Sequence, residues 1–177
     1  MTVPTPRPER RDATDEEARA LASSVRLRIL RLTLDRALTN KEIAEALGRN
    51  PASVLHHVRT LVDTGFLRAE AVRRGQRGAR EVPYRSTGKS WYVHTPAVVG
   101  SMVQAFLEEI AQVPEEELHL TRLGLRLGAE DLAEFRTRLA ALTQEFHDRP
   151  RVPEARPWSL FVALHPEAAT TEAATGG

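Results

Sequence analysis

Between Asn50 and Leu67 the chain reads NPASVLHHVRTLVDTGFL, and at 73–80 it reads RRGQRGAR. The first stretch carries hydrogen-bonding side chains at helical spacing and the second carries guanidinium groups around two glycines. Their chemistry is recognition. On a helix that turns about 100° per residue, Val54, Leu55, Val58, Leu61 and Val62 fall within one arc and must face a core. Ala52, Ser53, His56, Arg59 and Thr60 fall opposite, with His57 at the boundary. Small side chains near the start of that face allow close approach, and a major groove about 12 Å wide admits a helix whose polar side chains read base edges. Asp63 ends the face, which confines contact to its first turns. Arginines on a projecting loop (Arg73, Arg74, Arg77 and Arg80) meet phosphates instead, and give affinity and register more than sequence preference. With the capping residue Asn50, these side chains form the candidate DNA-binding set.

Other chemistries lack their residues. The chain has no cysteine, so disulfides, thiolate metal sites and cysteine nucleophiles are excluded. His56 and His57 are adjacent and point about 100° apart on a helix, a poor geometry for one shared ion. His94, His119, His147 and His165 include no pair at ligand spacing, so neither a metal nor another cofactor is expected. No Ser-His-Asp order, glycine-rich phosphate loop or paired-carboxylate cleft stands out, and an enzyme is not expected.

Charge is segregated along the chain. The formal net charge of the 177 residues is only +1, yet residues 49–89 hold nine Arg or Lys against three acids, a net of +6. Residues 108–148 hold ten acids against four Arg, a net of −6. One half suits a polyanion, while the acidic runs Glu108–Glu109 and Glu115–Glu117 read as solvated faces that also keep DNA away from the other half. Neither a signal peptide nor an apolar run of the roughly 20 residues needed to cross a bilayer is present, so a cytoplasmic protein is expected. Residues 1–13 and 167–177 have the composition of disordered tails.

Local punctuation predicts the elements that position these groups. Thr14 with Glu17, and Thr39 with Glu42, have the three-residue offset of a capping box, and Ser23 can cap a helix between them. The helix from Asn40 to Leu47 meets a stop at Gly48, and the next starts after the cap Asn50 with Pro51 at its first position, to end near Gly65. Residues 67–73 and 81–87 alternate in part as strands around a long loop, and Pro83 implies an unpaired edge, as in an isolated hairpin.

After Thr95–Pro96 a long helix carries Val99, Met102, Val103, Phe106, Ile110 and Val113 on one stripe. It has no evident partner in the preceding module, and is expected to pack on a second copy of itself, with Val99, Met102, Val103, Phe106 and Ile110 at the dimer interface. Residues 117–127 alternate with a shift of parity, which predicts a strand with a bulge or two short strands. A helix from Ala129 places Leu132, Phe135, Leu139, Leu142 and Phe146 on a stripe, and WSLFVALH, 158–165, reads as a buried strand. Any small-molecule effector would need an apolar pocket near Phe106, Phe135, Trp158 and Phe161.

The predicted fold is therefore mainly α with a small β component (α+β). A winged helix-turn-helix domain over 14–94 precedes a dimerising, possibly sensory region over 95–166, whose last part is β-α-β. Within the first domain SSVRLRILRL, LTNKEIAEALGRNPASVLHHVRTLVDTGFL and the hairpin ending in PYRS resemble the arsenic repressor (ArsR) family of bacterial regulators. Ser53-Val54-Leu55-His56-His57-Val58, Leu61 and Gly65-Phe66 carry the likeness. It implies a homodimeric repressor or activator, with repression the expected output, whose fourth helix enters the major groove while its hairpin follows the adjacent backbone. Two departures matter: the cysteine ligands of metal-sensing members have no counterpart, and Leu55 stands where the family usually has a hydroxyl. The rival reading is a winged helix that docks on another protein.

Overall fold

The computed structural model describes residues 10–75, 78–152 and 154–166. The chain falls into two units, divided after Leu125. The first contains strand β1 (Arg11–Asp12), helices α1 (Asp15–Leu21) and α2 (Ser24–Leu32), strand β2 (Leu38–Thr39), and helices α3 (Asn40–Leu47) and α4 (Pro51–Asp63). Strands β3 (Leu67–Ala69), β4 (Arg73–Arg74), β5 (Arg80–Glu81), β6 (Pro83–Ser86) and β7 (Val93–His94) follow, then helix α5 (Val99–Ile110).

The helices begin where their caps dictate. Thr14 and Glu17 exchange bonds at the start of α1, as do Thr39 and Glu42 at the start of α3, so both capping boxes close. Ser23 accepts from the Arg26 N–H ahead of α2. Gly48 adopts φ 61°, a left-handed stop that a side chain would strain. Gly65, at φ 72°, makes the turn after α4 that drops Phe66 into the core. That core joins α1–α4: Ile29, Ile43, Val54, Val58, Leu61 and Phe66 are all 0% exposed. Covering a side chain of this size contributes about 1.5–3 kcal/mol.

Three expectations change in this unit. β6 is not an edge but the centre of a three-stranded sheet, ordered β2-β6-β3, with Leu38 opposite Tyr84 and Ala69 opposite Tyr84 on the other side. Pro83 is tolerated because it is the first residue of its strand, so the N–H it lacks falls at the end of the ladder. Its carbonyl still accepts from Glu70 N at 2.8 Å. Arg11–Asp12, within the stretch expected to be a tail, pair in parallel with Val93–His94; residues 1–9 and 167–177 lie outside the described residues. Finally, α5 does have a partner, α2. Ala105 is buried, Glu108 accepts from Arg28 Nη1 at 3.0 Å, and Ser24 Oγ reaches the same carboxylate at 3.4 Å. The stripe of Val99, Met102 and Val103 lies on the other face and stays exposed, as does Leu107, while Phe106 and Ile110 are half-buried.

The second unit is built on helix α6 (Ala129–Asp148), which has no side-chain cap at Gly128. Leu132, Phe135 and Leu139 are half-buried, and Leu142 and Phe146 exposed. The expected β-α-β arrangement does not form: among the described residues neither 117–127 nor 158–165 contains a strand. A strand exists only by pairing, and an alternating sequence supplies one side of a ladder, not the other. Leu120 is 75% exposed and Leu160 77%. Trp158 is exposed, and the groove within this unit, about 330 Å³, is lined by Arg136, Leu139, Ala140, Thr143, Val162 and Leu164. No helix among the described residues is long and apolar enough to cross a membrane.

Candidate nucleic-acid interface

α3 and α4 are held at their turn by side chains as well as by the core. Asn50 Oδ1 accepts from Ala52 N at 2.8 Å, which fixes the first turn of α4. Asn40 Nδ2 donates to the Pro51 carbonyl at 2.9 Å, tying the start of α3 to the start of α4. Asn50 was expected at the interface, whereas the role of Asn40 was not legible; an asparagine after a threonine cap is the only local hint of it.

α4 presents the faces that its spacing predicts, except that Leu55 is only half-buried and lies outside the core cluster. Val54, Val58 and Leu61 are fully covered, while Ala52, Ser53, His56 and Arg59 are exposed. Thr60 is half-buried, and its hydroxyl donates to the His56 carbonyl at 3.1 Å, which leaves only its acceptor side for an external donor. His57 is withdrawn from this face. It is half-buried, its Nδ1 is inaccessible and has no hydrogen-bond partner, and burial pushes its pKa down, aided by the positive charges of Arg26, His56 and Arg49. A neutral imidazole at the rim of the core adds little to a contact with an anion. The two rings lie 5.9 Å apart at a tilt of 58°. Among the described residues no group of three His, Asp or Glu side chains is placed to hold a metal ion.

The wing divides its arginines into two kinds. Arg68 and Arg85 share Glu70, at 3.7 and 2.9 Å, and Arg73 is bonded to Glu42 and Glu81. Arg74 and Arg80 are exposed and sit directly opposite each other in the β4–β5 ladder. Like charges across a ladder destabilise it, so this pairing is one that folding alone does not favour and that a polyanion would relieve. Val72, Arg73, Arg74, Gly78 and Arg80 line an open basic hollow here. Arg77 lies outside the described residues.

A second cluster braces the interface from behind. Glu17 is buried and bonded to Arg11 at 2.7 Å and to Lys89 at 2.6 Å. Lys89 Nζ also donates to the Thr64 carbonyl at 2.7 Å and lies 4.8 Å from the centre of the Phe66 ring. Arg11 first, then Lys89 and the Thr14 N–H, hold the Glu17 carboxyl far below the usual carboxylate range against the opposing effect of burial. The end of α4 is thereby tied to α1 through one ammonium group. Sequence reasoning assigned Lys89 only to the count of basic residues.

Residues 21–70 match the helix-turn-helix domain family. The match spans the end of α1 through β3. No curated protein matches the chain. Among solved structures, a mutant of ZitR from Lactococcus lactis is 27% identical over 70% of this chain and 74% of its own, with a TM-score of 0.35. Wild-type ZitR in complex with DNA is 22% identical over 70% and 74%, at 0.33. The adhesin competence repressor AdcR from Streptococcus pyogenes is 17% identical over 69% and 80%, at 0.32. Superpositions this loose carry no argument about what this chain does.

Proposed function

We propose that the chain is a sequence-specific DNA-binding transcriptional regulator of the arsenic-repressor (ArsR) type, acting as a homodimer with repression as its output. The observation that carries this reading is the cross-strand pair Arg74–Arg80, exposed on the wing of a helix-turn-helix whose α4 exposes Ser53, His56 and Arg59. α4 supplies direct readout in the major groove, and the wing supplies phosphate contacts. The exposed row Val99, Met102, Val103 and Leu107 on α5, apolar and opposite the face that packs on α2, supports a second copy as partner. A two-fold dimer places its recognition helices about one duplex turn, ~34 Å, apart, and so calls for a pseudo-palindromic operator. A small-molecule effector is not part of this reading.

Selection of bound duplexes from random DNA, followed by titrations at several salt concentrations, tests it. Ser53→Ala and His56→Ala are expected to change which sequence is preferred. Arg74→Ala and Arg80→Ala are expected to weaken cognate and scrambled duplexes alike, and to lower the log–log salt slope by about 0.9 for each phosphate that is no longer neutralised. Equal losses from both groups would refute the division of labour. Absence of binding to any duplex by the folded protein would refute the function and favour docking on another protein.

A further inference from the structure

Arg73 was expected on phosphate, but its guanidinium is already engaged. Nη2 donates to Glu42 Oε1 at 2.6 Å, and Nε to Glu81 Oε2 at 3.4 Å. The other Glu42 oxygen accepts from Thr39 N at 2.7 Å and from Thr39 Oγ1 at 2.9 Å. One carboxylate thus joins the capped start of α3 to the root of the wing. The Thr39 N–H first, and Arg73 after it, hold its pKa below the ordinary range against burial, so it is an anion at neutral pH. On the other side, the Glu81 side chain lies over Gly75, where a Cβ would collide with its carboxylate.

Beyond this point the hairpin has a short ladder and the turn bonds from Gly75 N to the Ala79 carbonyl at 2.8 Å and from Gly78 N to the Gly75 carbonyl at 3.2 Å. β4 and β5 have two residues each, and their second pair sets Arg74 against Arg80. So short a ladder is not stable unaided, and repulsion weakens it further. A planar guanidinium whose Nε and Nη2 address two carboxylates fixes an orientation that a single ammonium cannot.

We propose that Arg73 is a positioning residue and not a phosphate contact: by bridging Glu42 and Glu81 it sets the wing against α3, and so brings Arg74 and Arg80 to the DNA backbone in register with α4. This rests on the DNA-binding reading above. Arg73 acts through the placement of its neighbours, which separates its effects from theirs.

The test uses the full chain and two measurements. In the free protein, amide hydrogen exchange at residues 73–74 and 80–81 is expected to speed up several-fold in Arg73→Ala and in Glu42→Gln, but not in Arg74→Ala. Glu42→Gln keeps the cap on Thr39, since glutamine also serves in a capping box, and puts an amide donor where Arg73 now finds a charged acceptor. Global melting should scarcely move, because the ion pair is exposed to solvent. Wild-type exchange rates in Arg73→Ala would overturn the proposal. On the selected duplex the loosened wing still reaches the phosphates but at an ordering cost, so Arg73→Ala and Glu42→Gln are expected to weaken binding with the salt slope unchanged, and the double variant to be no weaker than the weaker single one. A slope lowered by about 0.9 in Arg73→Ala, with additive losses, would make it a direct phosphate contact and overturn the proposal as well. If the wild-type protein binds no duplex, the DNA reading fails, and the exchange measurement alone decides whether Arg73 fixes the wing.

Discussion

The stretch from Thr39 to Ser86 and the stretch from Leu118 to His165 both carry regular apolar patterns, and they end in opposite conditions. In the first, Ile43, Val54, Val58, Leu61 and Phe66 are fully covered. In the second, Leu120, Leu123, Leu142, Phe146 and Leu160 are exposed. Both patterns are periodic, but the punctuation differs. α3 and α4 have the Thr39–Glu42 box, Gly48 and Asn50–Pro51, which set where each helix starts and how the turn runs, whereas α6 opens at Gly128 without a side-chain cap. Period says which face needs cover, and punctuation decides whether the chain can deliver that cover itself.

The comparison breaks most readily at Phe66. Phe66→Ala is expected to cost about 3–5 kcal/mol, whereas Leu160→Ala should stay within about 0.5 kcal/mol; urea unfolding of both variants checks this. Comparable losses would mean that the 158–165 segment is covered after all. A smaller effect sharpens the middle ground, where α5 belongs to the anchored unit by one face only. Val103→Glu should raise the dimer dissociation constant at least tenfold, since covering a valine is worth about 1.5–3 kcal/mol. Sedimentation equilibrium reads the change, and an unaltered constant would move the seam away from α5. The smallest effect concerns the brace behind α4. The depressed pKa of Glu17 means that its stabilisation is complete above the ordinary carboxylate range, near ~4.3, and is lost as pH falls through the folded-state value. Glu17→Gln should therefore be less stable than wild type at neutral pH, with a gap that narrows in acid. A gap that is constant with pH would remove Glu17 from the linkage.

What could be read without coordinates was local. Thr14 with Glu17, Thr39 with Glu42, and Asn50 with Pro51 announce their helices because each device acts within one turn. The two faces of α4 follow from the helical period alone. Contacts between distant positions left no such mark. The bond from Arg73 to Glu42 spans 31 residues, so Arg73 read as one more loop arginine. β2 has two residues, too few to show an alternation, and without it β6 looked like an edge. Glu108 on α5 read as part of a solvated face, because Arg28 on α2 neutralises it only in the folded unit. In the C-terminal segments the alternation was visible, but not that among the described residues no strand pairs with them.

The juxtaposition of Arg74 and Arg80 gives the wing two opposed sensitivities to the surrounding electrolyte. Dissolved ions shield one guanidinium from the other, so a concentrated medium eases this pair in the unliganded hairpin. The same ions make the release of condensed cations from a duplex less favourable, and so erode its grip on the target. The condition that most relieves this one repulsion is also the one in which the finger holds least.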